Sequence, residues 1–282
     1  MVTLPPTIQA LADRTLGPVR VVADLSWGHG EALVVAVESP RGERAVVKAH
    51  RDARSYRNEV EAYGVLAGPL AGDLPRVLAH DDGARALVLS WVPGTPADRL
   101  PADDERLHRA AGALLRRFHG ALQPEPLARW RRRLAGRLAR WIDRAGDGVL
   151  TAAEVAAARG AVEAVGDAEP AGVLTHGDWQ RRNWIVDGST VRAIDLEHAR
   201  REVWLLDLQK LWWGDWRRAP HLRDAFLAGY DPEGEVRIDP VAFRAVAAVQ
   251  LVATVVWAVE HSDRAYAEAA RDGLRAAVAC AP

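Results

Sequence analysis

Cysteine is almost absent from this chain: only Cys280 is present, so neither a disulfide framework nor a cysteine-built zinc site can form within it. Residues 1–9 lack the basic and apolar regions of a signal peptide, and a cytoplasmic, reducing location is the simplest expectation. Long apolar runs are missing too. The longest apolar stretch, 241–259, is broken by Arg244, Gln250 and Thr254, and reads as a buried helix rather than a membrane span. Neither sign of charge dominates: 37 basic residues face 38 acidic ones, for a net charge of −1. That balance offers no basic face to a nucleic acid, so neither a nucleic-acid nor a membrane partner is expected. Repeats and low-complexity linkers are also lacking, and lysine is scarce beside arginine.

What is present is a large apolar share, 49% of 282 residues, enough for a sizeable core in one large or two modest domains. Residues 19–25, 32–38 and 44–48 read as strands, with a turn at 39–42. Residues 55–67 carry Tyr56, Val60, Tyr63 and Leu66 on one helical face. Two further strands, 75–78 and 86–92, are joined by Asp81-Asp82-Gly83. The Trp-Val-Pro-Gly-Thr-Pro run at 91–96 is the best internal boundary. Beyond it the pattern is helical: 103–122, 127–145, 151–165, 204–217, 220–229, 240–261 and 263–279. Thr151 and Glu154 form a capping box. The basic run 129–140 reads as a solvated helix face. A strand–loop–strand segment, 173–195, interrupts the helices, with Asp187-Gly188 as its hairpin turn.

That segment holds the strongest signal. Residues 176–183 spell His-Gly-Asp-Trp-Gln-Arg-Arg-Asn, and Asp195 ends a β-like run twelve residues after Asn183. A carboxylate that accepts a hydroxyl proton, plus an Asn and a second Asp that hold Mg²⁺ against phosphates, is what phosphoryl transfer needs. These are hard oxygen ligands, which suit that ion. The bland alternative is ordinary loop chemistry, an Asp capping a turn and a Gly between. The flanking apolar strands weigh against it.

On His176, Gly177, Asp178, Asn183 and Ile194-Asp195-Leu196-Glu197, the chain resembles the aminoglycoside phosphotransferase and choline kinase group of small-molecule kinases. The resemblance implies an α+β, bilobal protein-kinase-like fold. A nucleotide-binding lobe (1–92) with an antiparallel sheet and one helix would precede a larger, mainly helical lobe (93–282), with the hinge near 90–96. It implies Asp178 as catalytic base, Asn183 and Asp195 as Mg²⁺ ligands, and ATP or GTP as donor to a small-molecule hydroxyl. Gly177 and the lack of a D-F-G glycine depart from protein kinases. Antibiotic modification is the leading expectation; a metabolite kinase or a silent nucleotide-binding module are the alternatives.

Lys48, ending the third strand, matches the family's phosphate-orienting lysine, against the reading of an edge-strand lysine that discourages aggregation. Its partner is Glu59, by the family pattern, or Glu61; the two point about 200° apart on a helix. Gly28 and Gly30 lie where a phosphate-covering loop belongs, although such glycines also occur in plain hairpins. The backbone from Ser90 to Val92 would read an adenine edge. For the acceptor, Glu197, His198, Trp212, Trp216 and Glu260 combine aromatic surface and carboxylates, which would suit a cationic or heterocyclic ligand. For Trp212 and Trp216 core packing is the competing reading. His119, His176 and Asp207 read as structural.

Overall fold

The computed structural model describes residues 2–27 and 32–279. It begins with α1 (Pro6–Leu16), β1 (Arg20–Asp24), β2 (Ala32–Glu38), β3 (Arg44–His50), α2 (Ala53–Leu66), β4 (Val77–Asp81) and β5 (Ala86–Ser90). The five strands form one antiparallel sheet in the order β1-β2-β3-β5-β4. Successive side chains of a strand point to opposite faces. Val35, Val37, Ala45, Val47, Ala86 and Val88 therefore fall on one face, clustered with Leu4, Ile8, Leu11 and Ala12 around α1. On the other, Leu87 and Leu89 join Tyr56, Tyr63 and Leu66 of α2. The sheet is thus covered on both faces, where the sequence reading placed one helix beside it. The signal for α1 was present: Pro6 at its start and Ile8, Leu11 and Ala12 at helical spacing. Asp52 caps α2, accepting from Ser55 N at 2.7 Å.

The remainder is mainly helical, completing an α+β, kinase-like layout. It runs through β6 (Thr95–Pro96), α3 (Glu105–His119), β7 (Glu125–Pro126), α4 (Trp130–Ala145), α5 (Ala152–Glu163), β8 (Ala171–Thr175), β9 (Trp184–Asp187), β10 (Thr190–Ala193) and β11 (Arg200–Glu202). Then follow α6 (Gln209–Trp213), α7 (Asp215–Arg218), α8 (Pro220–Tyr230), α9 (Pro240–Glu260) and α10 (Arg264–Ala279). Two small sheets, β10-β9-β6 and β11-β8-β7, frame the loop that carries Asp178. The hairpin between β9 and β10 turns at Gly188, with φ of 58°. The capping box forms: Glu154 N donates to Thr151 Oγ1 at 3.1 Å, and Thr151 N to Glu154 Oε2 at 2.8 Å. The expected single helix over 204–217 is instead a 3-10 turn (Trp204–Leu208) followed by α6 and α7, broken at Gly214. Helix α9 is long and apolar enough to cross a membrane, but 78% of its most apolar window is buried inside the protein. It packs against α4, α5 and α10.

Helices α3 and α8 cross at backbone contact. A Cβ on Gly112 would stand 2.1 Å from Phe226 O, and one on Gly229 would stand 2.0 Å from Arg109 O. Only a residue without a side chain allows that approach. Gly229→Ala is expected to lower unfolding free energy by about 1–3 kcal/mol through overpacking. Gly160→Ala, at an open position of α5 with nothing within 4 Å, should raise it by about 0.5–1 kcal/mol. Urea titrations of the two variants check the contrast; equal effects would deny the contact.

Candidate active site

Strand alternation aims the first functional group. With Ala45, Val47 and Ala49 in the α1 cluster, Lys48 and His50 must point the other way, toward α2. Lys48 is only 7% exposed, and its Nζ meets three carboxylates: Asp195 Oδ1 at 2.5 Å, Glu59 Oε2 at 2.9 Å and Glu197 Oε2 at 3.1 Å. Burial disfavours the ammonium, but the three carboxylates outweigh it and hold its pKa well above the ordinary lysine value. Glu59 shares the buried face of α2 with Tyr56 and Tyr63, whereas Glu61 is exposed. The structure thus sets Glu59, not Glu61, against Lys48. Glu59 also meets His50 Nε2 at 2.6 Å and accepts from Leu196 N at 3.3 Å.

The loop after β8 is held from behind by Asp207, whose carboxylate accepts from the backbone N–H groups of His176 (2.8 Å) and Gly177 (2.6 Å). His119 Nε2 lies 2.9 Å from the same carboxylate, and its other ring nitrogen lies 2.8 Å from the Tyr230 hydroxyl. His176 reaches Ile194 O at 3.0 Å. All three residues organise the loop. Gly177 has φ of 81°, and a Cβ there would stand 2.3 Å from His198 O, so glycine is required. Arg181 pins the loop from the front, donating to the carbonyls of Ala97, Leu100 and Pro101.

These anchors present Asp178, which is 3% exposed. Its carboxylate accepts from Gln180 Nε2 at 2.7 Å, Arg182 Nη2 at 2.9 Å and Asn183 Nδ2 at 3.0 Å, with Lys210 Nζ at 3.8 Å. Burial opposes the charged form, yet Lys210 and Arg182 prevail and hold the carboxyl well below the usual range. Asn183 Nδ2 also donates to Asp178 O at 2.9 Å. With its amide nitrogen so engaged, the oxygen is the group left to serve as a ligand. Asp195 sits at φ of 71°, a left-handed conformation that is rare outside glycine and costs backbone energy. One of its oxygens takes Lys48. The donor set of Asn183 and Asp195, carbonyl and carboxylate oxygen, fits Mg²⁺.

The acceptor residues read from sequence do not converge here. Glu197 is turned to Lys48 and to His50, 3.5 Å away. Glu260 is engaged by Arg144 through two contacts, at 2.6 and 2.7 Å. Trp216 is buried 5.1 Å from the Phe226 ring, and Trp212 lies 4.6 Å from Phe243, so both serve the core. His198 is half-exposed, 3.6 Å from Glu197. Ser90 is tied to the residue before β4: its N donates to Arg76 O at 2.8 Å, and its Oγ accepts from Arg76 N at 2.9 Å. That leaves Val92, beyond the strand end, as the open part of the linker. Gly28 and Gly30 lie outside the described residues. Sequence reasoning missed His50, Gln180, Arg182, Lys210 and Tyr266. Gln180 and Arg182 were visible inside the motif; Lys210 and Tyr266 carried no signal of their own.

Residues 25–241 match the sequence profile of the phosphotransferase enzyme family. No curated protein matches the chain. Among solved structures it is similar to the macrolide 2'-phosphotransferase MphH of Brachybacterium faecium, with TM-score 0.64 and 18% identity over 95% of this chain and 96% of that one. It is likewise similar to a thermostable aminoglycoside phosphotransferase APH(4)-Ia in ternary complex with ADP and hygromycin B (TM-score 0.72, 16% identity, 97% and 98% of the two chains). A Thermobifida fusca YX-ER1 protein assigned as a fructosamine-3-kinase gives TM-score 0.67 and 22% identity over 96% and 99%. At these identities the likeness establishes a shared fold.

The Glu59 carboxyl is held below its ordinary value: burial opposes this, and Lys48 and His50 overcome it. A depressed folded pKa adds stability above the unfolded value, about 4.3, and that stability is lost as pH falls toward the folded value. Glu59→Gln should therefore flatten the fall in unfolding midpoint between about pH 5 and 3. At pH 7 it should cost about 2 kcal/mol, the worth of hydrogen bonds to a charged group. An unchanged pH slope would show that Glu59 is not ionised against Lys48.

Proposed function

Because the chain belongs to the phosphotransferase enzyme family, we propose that it moves the γ-phosphoryl group of a nucleoside triphosphate to a hydroxyl of a small molecule. One observation carries this reading: Lys48, paired with Glu59, meets Asp195, 147 residues along the chain, next to the loop that presents Asp178. We place the nucleotide between residues 1–92 and 93–282, with the hinge at 90–96, Val92 beside the base and Lys48 at the α- and β-phosphates. The ADP-bound relative supports a nucleotide as co-substrate.

In this reading Asp178 orients the acceptor hydroxyl. The hydroxyl oxygen attacks the γ-phosphorus, its proton passes to the Asp178 carboxylate, and the bond to the bridging oxygen breaks, with its electron pair leaving on the nucleoside diphosphate. Asn183 and Asp195 would hold Mg²⁺, which supplies charge neutralisation at the phosphates. Glu59 keeps Lys48 aimed, and Asp207 keeps the loop in register.

The macrolide- and aminoglycoside-directed relatives support an antibiotic as acceptor; the relative assigned as a fructosamine kinase supports a metabolite. A nucleotide-consumption assay against antibiotics, nucleosides, sugars and amino alcohols tests the reading. Asp178→Asn should lower kcat at least about a hundredfold while nucleotide affinity stays nearly unchanged. Retained turnover would remove Asp178 from the chemistry. Excess chelator should abolish consumption, and calorimetry should show Mg²⁺ taken up only together with nucleotide. Nucleotide binding without turnover of any acceptor or water would favour a silent nucleotide-binding module.

A further inference from the structure

Of the 37 lysines and arginines in this chain, only Lys48 and Lys210 are lysines. Both stand at the site, one at Asp195 and the other at Asp178. A chain that uses arginine almost everywhere else places a compact ammonium, with three freely rotating donors, at these two points. Lys48 is accounted for by the nucleotide. Lys210 is not.

Lys210 comes from α6 and is 22% exposed on its side chain. Its Nζ donates to the Tyr266 hydroxyl of α10 at 3.0 Å and lies over that ring. Arg182 stands on the same carboxylate of Asp178, with the Trp27 ring 4.5 Å from its guanidinium. Asp178 therefore has two cationic side chains against its single carboxylate, Arg182 at 2.9 Å and Lys210 at 3.8 Å. The carboxylates expected to receive a cationic acceptor are committed elsewhere, Glu197 to Lys48 and Glu260 to Arg144. An ammonium-bearing acceptor would have to bring like charge against Lys210 and Arg182 beside a nearly buried Asp178. An acidic one would complete the balance.

We propose that the acceptor carries an anionic group, carboxylate or phosphate monoester, within a few bonds of the hydroxyl it presents to Asp178, and that Lys210 with Tyr266 binds that group. The proposal rests on the phosphotransferase reading above.

Two measurements test it. In the first, wild-type protein loaded with Mg²⁺ and AMP-PNP is titrated with malonate and with inorganic phosphate by calorimetry, the nucleotide excluding both from the γ-phosphate position. At least one anion should bind, and which one separates the carboxylate from the phosphate source. Lys210→Gln should weaken it at least about tenfold, as loss of a charge-assisted hydrogen bond does. Lys210→Arg should restore part of the loss, and AMP-PNP affinity should stay within about threefold. In the second, nucleotide consumption is compared across matched sets such as glycerol, glycerate, glycerol 3-phosphate and 3-amino-1,2-propanediol. Within any set that is turned over, an anionic member should have the highest kcat/KM, and Lys210→Gln should raise its KM. The proposal is overturned if neither anion binds, or if either binds Lys210→Gln as well as wild type. A faster amine-bearing member, or a Lys210→Gln effect confined to nucleotide KM, also overturns it. Failure of wild-type protein to bind AMP-PNP at all would sink the phosphotransferase reading first, and is separately visible.

Discussion

A buried ammonium cannot stand without counter-charge, and Lys48 is where this protein meets that constraint. Stripping water from such an ion costs several kcal/mol, which only closely placed carboxylates offset. The three that do so come from α2 and from the 195–197 segment, so the lysine joins pieces of chain that would otherwise have no reason to meet. The alternation of β3, the inward face of α2 and the left-handed backbone at Asp195 together produce that convergence. They also leave the site electrically divided. Around Lys48, carboxylates exceed cations, as suits a place for a divalent ion. Around Asp178, cations exceed carboxylates.

The second requirement is a loop with little freedom. Asp207 fixes two successive backbone N–H groups, and His119 and Tyr230 fix Asp207. His119 ends α3 and Tyr230 ends α8, the two helices brought together through Gly112 and Gly229. The placement of Asp178 thus depends on a helix crossing that contains no catalytic group. Tight packing transmits such positions because a core deforms little.

Much of this was legible in the sequence. The five strands, the motif loop and its hairpin, and the long helices were readable because each carries a local signal: β-branched runs, Asp-Gly turns, caps and helical spacing. The choice of Glu59 over Glu61 needed the orientation of α2, which its period alone does not fix. Trp212, Trp216 and Glu260 are ambiguous in sequence for a different reason. An indole looks the same in sequence whether it faces a ligand or Phe243, and a glutamate whether it is free or held by Arg144. Lys210 and Tyr266 are 56 residues apart and meet only through tertiary packing.

Helix α9 has a consequence in the order of synthesis. Its most apolar 18-residue window has a mean hydropathy of 1.8, long and apolar enough to cross a membrane, and packing chiefly against α4, α5 and α10 hides it. Two of those covers precede it along the chain, but α10 follows and leaves the ribosome later. For that interval the nascent chain exposes an apolar face that lipid or another incomplete chain would also cover. Correct partitioning then depends on α4 and α5 already standing as a docking platform. The intact protein keeps no trace of this race, yet a stall or truncation ahead of α10 would turn a core helix into an adhesive one.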